Sequence, residues 1–247
     1  MAHALEGRSV IVTGASSGIG AAVVRALAAE GASLTIGARR AERLEALAQE
    51  IGRERIAVVA TDVRVEADVV RLIATARDRF GGVDALVNNA GLGRRAPVSS
   101  GSTALWREML DTNVLGLLIA TREAIQDMER RGVAGHVVNV GSMAGHRVPG
   151  PDSAVYAGTK FAVRAITEGL RQELRARSSA IRVSCVSPGY VDTEFAEVFV
   201  GPGGVPQAPR VMQLTADDIA RAIVWILTQP AHVEVHDVLV RPTAQRN

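Results

Sequence analysis

The chain alternates short apolar runs with stretches of helical periodicity. The runs are Ser9–Val12, Ser33–Gly37, Ile56–Ala60, Ala85–Val87, His136–Val140, Ile181–Val186 and Val235–Val240. Several are near-continuous in Val, Ile, Leu and Ala, as in parallel strands covered on both faces. Between them, residues 19–30 are Ala-rich and stop at Gly31, residues 41–51 stop at Gly52, and residues 66–80 stop at Gly81-Gly82. Glycine just past a periodic stretch is a helix stop signal. Longer helical stretches follow at 104–131 and 154–177, and a last one at 215–228 is closed by Pro230. This β-α-β-α rhythm predicts an α/β fold of the Rossmann type, a doubly wound parallel sheet with helices on both faces. No internal repeat appears. The one strong composition shift, Gly201–Pro209, is too short to be a linker between domains. Residues 1–247 therefore read as one domain, long enough to bury one substantial core.

Composition removes several functional classes. Hydrophobic residues at 47% and charged residues at 22% exclude a disordered or low-complexity chain. Aromatics at 3% argue against a base-stacking nucleic-acid platform. Lys and Arg number 28 against 26 Asp and Glu, and the arginines are scattered, so no nucleic-acid surface is expected. A single cysteine, Cys185, excludes an intrachain disulfide. The N-terminal residues lack the basic start and apolar run of a signal peptide, and no apolar stretch would span a membrane. The expectation is a soluble, cytoplasmic protein. The five histidines show no metal-ligand spacing, so no metal is expected. One count stands out: all basic residues are Arg except Lys160. Lys is a compact charge on a flexible stem, and Arg a wide planar fork that does not deprotonate. Position 160 thus invites a reason for its lysine.

Thr13–Gly20 reads TGASSGIG, between the first apolar run and the first helix. In that context glycines 14, 18 and 20 let backbone approach a pyrophosphate, and the helix N-terminus offers free N–H groups. Ser16 and Ser17 add hydroxyl donors, and Ile19 sits among them. The turn resembles the cofactor turn of the short-chain dehydrogenase/reductase family. The resemblance extends to Asn88–Gly91 (NNAG) after the fourth run, to Asn113 in TNVLG, and to Ser142 after the fifth run. It also takes in Tyr156 and Lys160 as a YxxxK pair, and Pro188-Gly189 after the sixth run. Any one of these motifs is weak; together, in order, they are specific, and they cover the chain from about residue 5 onward.

Tyr156 and Lys160 are four residues apart and share a helix face. A free tyrosine has a pKa of about 10, and lowering it by about 3 units takes about 4 kcal/mol. One ammonium at about 4 Å supplies about that at an effective dielectric near 20. The expectation is a tyrosine pulled down by its lysine, acting as general acid in reduction and general base in oxidation. The family resemblance implies further roles. Ser142 would bond the substrate oxygen, Lys160 would hold the nicotinamide ribose, and Asn113 would position a water relaying protons to Lys160. Asn89, Ala90 and Gly91 would line the cofactor, as would Asp62 and Val63 at its adenine and Pro188, Gly189, Val191 and Thr193 near its nicotinamide.

The second run ends Ile36-Gly37-Ala38-Arg39-Arg40, without the carboxylate that would bond an NAD ribose. Two guanidiniums stand there instead and suit a phosphate. The expected cofactor is NADP(H), with Arg39 first and Arg40 beside it; NAD(H) is the rival. By resemblance, Tyr190–Met212 forms a substrate lid at about 190–212, with Tyr190, Phe195 and Phe199 facing the substrate. Arg94-Arg95 either meets an anionic substrate or lies in a solvated loop. The C-terminal VHDVLVRPTAQ resembles a branch that includes clavulanic-acid and 3-hydroxy-acid dehydrogenases. The implied substrate is a small aldehyde, ketone or hydroxy acid. The implied assembly is a homodimer or homotetramer built through the two long helices. The alternative function is an NADP(H)-binding sensor without turnover, which would be expected to lack Tyr156 or Lys160. Trp106 and Trp225 are expected to pack helices, and Cys185 to pack in its strand.

Overall fold

A computed structural model of the protein describes residues 3–200 and 213–245. Seven parallel strands form one sheet: β1 (Ser9–Thr13), β2 (Ser33–Ala38), β3 (Ile56–Ala60), β4 (Ala85–Asn88), β5 (His136–Val140), β6 (Arg182–Pro188) and β7 (Asp237–Val240). Their order is β3-β2-β1-β4-β5-β6-β7. The helices are α1 (Gly18–Ala29), α2 (Ala41–Ile51), α3 (Glu66–Phe80), α4 (Thr103–Leu110), α5 (Gly116–Arg131), α6 (Ala154–Ala176), α7 (Phe195–Val200) and α8 (Ala216–Leu227). This is the doubly wound α/β architecture read from the alternating runs.

Period-two alternation explains why the strands carry apolar residues throughout. Val10 and Val12 of β1, Val87 of β4 and Val138 and Val140 of β5 pack on one face, with α1, α2 and α8. Ile11, Leu86 and Val137, each next to one of them in sequence, pack on the other, with α3, α5 and Leu174 of α6. Both faces are covered, and polar strand residues such as Asn88 and Asn139 are buried with hydrogen-bond partners, Asn88 donating to Thr121 Oγ1 and Asn139 to Thr167 Oγ1. On α8, Ile219, Ile223, Ile226 and Leu227 turn inward. Trp225 falls on the opposite side of that 3.6-residue period and is 51% exposed, so about half of it stays outside the core. Trp106 does pack, beside Met109 and Ala157.

The long helix expected over 104–131 is interrupted. Between α4 and α5 the chain makes a π-helical turn, Asp111–Leu115, which widens the helix at Asn113. Such a bulge keeps the apolar period nearly intact, so periodicity alone does not reveal it.

The strand order reverses between β1 and β4, whose Val12 and Val87 are paired. In open α/β sheets the crevice outside the carboxyl ends of the strands at such a switch point is where ligands bind. The glycine-rich turn leaves β1 there, Arg39 follows β2, Asn89 follows β4, Ser142 follows β5 and Gly189 follows β6.

At the opposite end of the sheet, His136 opens β5 and is 1% exposed. Ser184 donates its hydroxyl to the Val235 carbonyl, so His136 Nε2, 2.8 Å away, is the donor to Ser184, and Nδ1 is left without a partner. Burial, with the Arg182 and Arg8 charges, pushes the imidazole down to about 3. In the unfolded chain it protonates near 6.5, so the unfolded state gains protons first as pH falls. Stability is therefore lost from about pH 6.5 downward. From pH 7 to pH 4.5 this one group is expected to cost roughly 3 kcal/mol. Urea denaturation of the protein and of His136→Phe at both pH values checks it: the difference should be smaller in the variant by that amount.

Candidate active site

One cavity of about 500 Å³ runs along the carboxyl ends of the strands. At one end lies the turn after β1. Gly14 has φ +65, and a Cβ there would lie 2.7 Å from Ala90 Cα. A Cβ on Gly20 would lie 2.5 Å from Asn89 Nδ2 and closer still to the Gly14 carbonyl oxygen. Only glycine fits either place. Asn89 staples the turn, donating from Nδ2 to the carbonyls of Thr13 (3.0 Å) and Gly14 (3.1 Å). Thr13 Oγ1 in turn accepts from the backbone N–H groups of Asn89 (3.1 Å) and Ala90 (3.0 Å). Thr13 is not singled out by the sequence because its bonds run to residues 76 and 77 positions away.

Ser16, Ser17, Gly18, Ile19, Arg39, Arg40, Asp62 and Val63 line the same end. Arg40 donates to Ser16 Oγ (3.2 and 3.1 Å) and Ser17 Oγ (2.7 Å), so its guanidinium lies over the turn. Arg64 holds the Asp62 carboxyl below the usual carboxylate range, with Arg39 adding to the effect. The N-terminus of α1 and the guanidiniums of Arg39 and Arg40 could receive phosphates here. The residues present fit a dinucleotide.

At the other end, Ser142, Tyr156 and Lys160 converge on the cavity. Ser142 Oγ accepts from the Ala144 N–H (3.0 Å), which fixes the turn after β5. Lys160 is buried and donates from Nζ to the Val140 carbonyl at 2.9 Å. Burial lowers it to about 8. Asn113 does not line the cavity. Its Oδ1 accepts from the Leu92 N–H (2.8 Å), and its Nδ2 donates to the Leu92 carbonyl (2.7 Å) and Thr159 Oγ1 (3.0 Å). Both amide hydrogens are thus used in joining the π-helical turn to the chain after β4 and to α6. Gly20, likewise, supports the cavity from behind rather than lining it.

Tyr156 departs from the expected electrostatics. It is 7% exposed, and the rings of Phe195 and Phe199 of α7 close over it at 5.6 and 5.5 Å between centroids. Burial pushes its hydroxyl up to about 12, with Ser142 pulling only part of the way back. The expected lowering by Lys160 is absent, because the lysine directs its ammonium at Val140 and desolvation wins.

Tyr190, Val191 and Thr193 line the cavity, with Pro188 and Gly189 before them. Glu194 pairs with Arg43 (2.6 Å) and Arg40 (3.0 Å), which hold its carboxyl low. The Phe199 carbonyl accepts from Arg95 N (3.2 Å), and the Val198 carbonyl from Arg94 Nη1 (3.1 Å). The segment after β6 is thus tied at both ends of the cavity. The expected lid continues through residues 201–212, which lie outside the described residues. His146 contacts Ser187 (3.1 Å) and Cys185 is buried in β6, both packing roles. Among the described residues no cluster of His, Cys, Asp and Glu could hold a metal, and no helix is long and apolar enough to cross a membrane.

A sequence profile for the short chain dehydrogenases matches residues 8–200. The chain is 43% identical over 247 residues to dehydrogenase/reductase SDR family member 11 of Bos taurus, covering 96% of this chain and 97% of that one. Among solved structures, the closed form of a serine dehydrogenase complexed with NADP+ has a TM-score of 0.89 at 35% identity, covering 97% of this chain and 96% of that one. An alcohol dehydrogenase from the archaeon Thermococcus sibiricus, complexed with 5-hydroxy-NADP, has a TM-score of 0.85 at 32% identity, covering 97% and 98%.

Proposed function

The chain belongs to the short-chain dehydrogenase family, and from that premise we propose that it is an NADP(H)-dependent oxidoreductase acting on a small carbonyl or alcohol substrate. The observation that carries the reading is the meeting of Ser142, Tyr156 and Lys160 with the glycine-rich turn on one cavity. The nicotinamide would supply or take the hydride. Tyr156 would hold the proton. At about 12 it is fully protonated at neutral pH, which suits donation to a carbonyl oxygen in the direction of reduction. Ser142 would orient that oxygen. Lys160, at about 8, would keep its positive charge at neutral pH at the same end of the cavity. Phe195 and Phe199 would exclude water from the reacting atoms.

Support for NADP(H) over NAD(H) comes from Arg39 and Arg40 at the end of β2 and from the NADP-type ligands of the two solved relatives. Replacing Ala38→Asp together with Arg39→Ile removes one guanidinium and installs a carboxylate for a ribose hydroxyl. The NADPH-to-NADH ratio of kcat/KM is expected to fall about 100-fold. An unchanged ratio would move the phosphate site elsewhere.

The whole chain would act as one catalytic domain, in the cytoplasm, as the single buried thiol of Cys185 favours. Exposed Leu110 of α4, Leu115 of the π-helical turn and Leu118 of α5, with Phe161 on α6, favour a homodimer or homotetramer. The reading is tested by following NADPH consumption against aldehydes, ketones and oxo acids, with NADH as control. Turnover with any of them supports it. Tight NADPH binding with no turnover across the panel would favour a dinucleotide sensor instead.

A further inference from the structure

Three arginines line the cavity beyond Tyr156, away from the phosphate turn: Arg94, Arg95 and Arg147. Two have carboxylate partners. Arg94 Nε lies 3.2 Å from Glu108 Oε2, and Arg95 Nε lies 3.4 Å from Asp152 Oδ2. Arg147 has none among the described residues, and its Nε is buried without a hydrogen-bond partner. The Arg95 Nε, though 3.4 Å from its carboxylate, is also without a hydrogen bond. Two buried guanidinium N–H groups at one end of a cavity therefore lack acceptors, and one positive charge there has no counter-charge. Buried donors in folded proteins are nearly always satisfied, so such a pair calls for a ligand.

The position of Arg147 fits that purpose. It stands five residues after Ser142 and nine before Tyr156, on the loop that joins them. The loop is pinned. Arg164 donates to the Gly145 carbonyl at 3.1 Å, and Ser153 Oγ accepts from Gly150 N (3.0 Å) and donates to the Gly150 carbonyl (2.7 Å). Arg147 is thus carried on a held loop between two residues of the proposed catalytic set. Its planar fork matches a carboxylate. A single uncompensated charge matches a monoanion better than a phosphate dianion.

We infer that Arg147, with Arg95 at the same end, receives the carboxylate of the substrate, so that the reacting pair is an oxo acid and its hydroxy acid. This rests on the oxidoreductase reading. In the reduction, hydride from NADPH forms the C–H bond, the C=O π bond breaks, and Tyr156 gives its proton to the oxygen. NADPH is oxidised to NADP+, and the carboxylate is unchanged.

The test has a binding arm and a turnover arm. Butanoate and butanamide are titrated by calorimetry into the protein with NADP+, using the unaltered chain, Arg147→Gln and Arg147→Lys. A series of short oxo acids, each paired with its methyl ester, is assayed with the same three proteins. Butanoate should bind and butanamide should not. Arg147→Gln should weaken butanoate by about 30- to 100-fold and lower the acid-to-ester ratio of kcat/KM by a similar factor. Arg147→Lys, which keeps the charge but loses the fork, should fall between. Equal butanoate binding in Arg147→Gln, or esters used as readily as acids by the unaltered chain, overturns the carboxylate site. Turnover of neutral carbonyls without butanoate binding also overturns it and leaves the oxidoreductase reading intact. Butanoate binding lost in Arg147→Gln, with no carbonyl turned over, keeps the anion site and overturns the oxidoreductase.

Discussion

Tyr156→Phe is expected to lower kcat by roughly 10³-fold while leaving NADPH affinity within about two-fold. The substitution removes one oxygen. The ring stays, and with it the tilted contact to Phe195 and the edge contact to Phe199. The hydroxyl itself is buried and, among the described residues, Ser142 is the side chain that bonds it, so little else described in the fold depends on it. What is lost is the proton that the reaction needs at the carbonyl oxygen. Ser142 cannot replace it, because an alcohol is a far weaker acid. The check is single-substrate kinetics beside an NADPH titration by fluorescence. Turnover within ten-fold of the unaltered chain would remove Tyr156 from the role of acid.

Much of this geometry is legible in the sequence, for a physical reason. Strands buried on both faces are mostly apolar, so β1, β2, β4 and β5 stand out as near-continuous runs of Val, Ile, Leu and Ala. Helices α2 and α3 end at Gly52 and Gly81, which take positive φ where a side chain would be strained. The placement of Gly14, Asn89, Ser142 and Gly189 then follows from the rule that the chain delivers ligand-facing residues at the carboxyl ends of parallel strands. What stays hidden depends on contacts distant in sequence. The π-helical turn at Asn113 exists because its side chain bonds Leu92 and Thr159, 21 and 46 positions away. The high pKa of Tyr156 comes from burial beneath Phe195 and Phe199, which a pairwise Tyr–Lys argument omits. In MAGHRVPGPDSAV nothing sets Arg147 apart from its loop; only its buried Nε without a hydrogen-bond partner marks it out.

The glycine turn yields the second large effect. In Gly20→Val the new Cβ would fall inside contact distance of the Gly14 carbonyl oxygen and 2.5 Å from Asn89 Nδ2. Neither neighbour can yield cheaply. The Gly14 carbonyl is backbone, and Asn89 Nδ2 is held by the carbonyls of Thr13 and Gly14. Gly14 cannot move away, since the space where its own Cβ would stand ends 2.7 Å from Ala90 Cα. The collision must therefore unseat the turn and the first N–H groups of α1 from the geometry a pyrophosphate needs. Losing two or three charge-assisted hydrogen bonds at about 2 kcal/mol each corresponds to roughly a 10³-fold weaker NADPH complex. Helix α1 packs Val23, Val24 and Leu27 into the core well beyond the clash, so the sheet should survive. NADPH titration and circular dichroism together distinguish the outcomes. Native circular dichroism with lost binding is the expected result. Retained binding would mean that the phosphates do not sit on this turn, and the assignment of the cofactor end would fall with it.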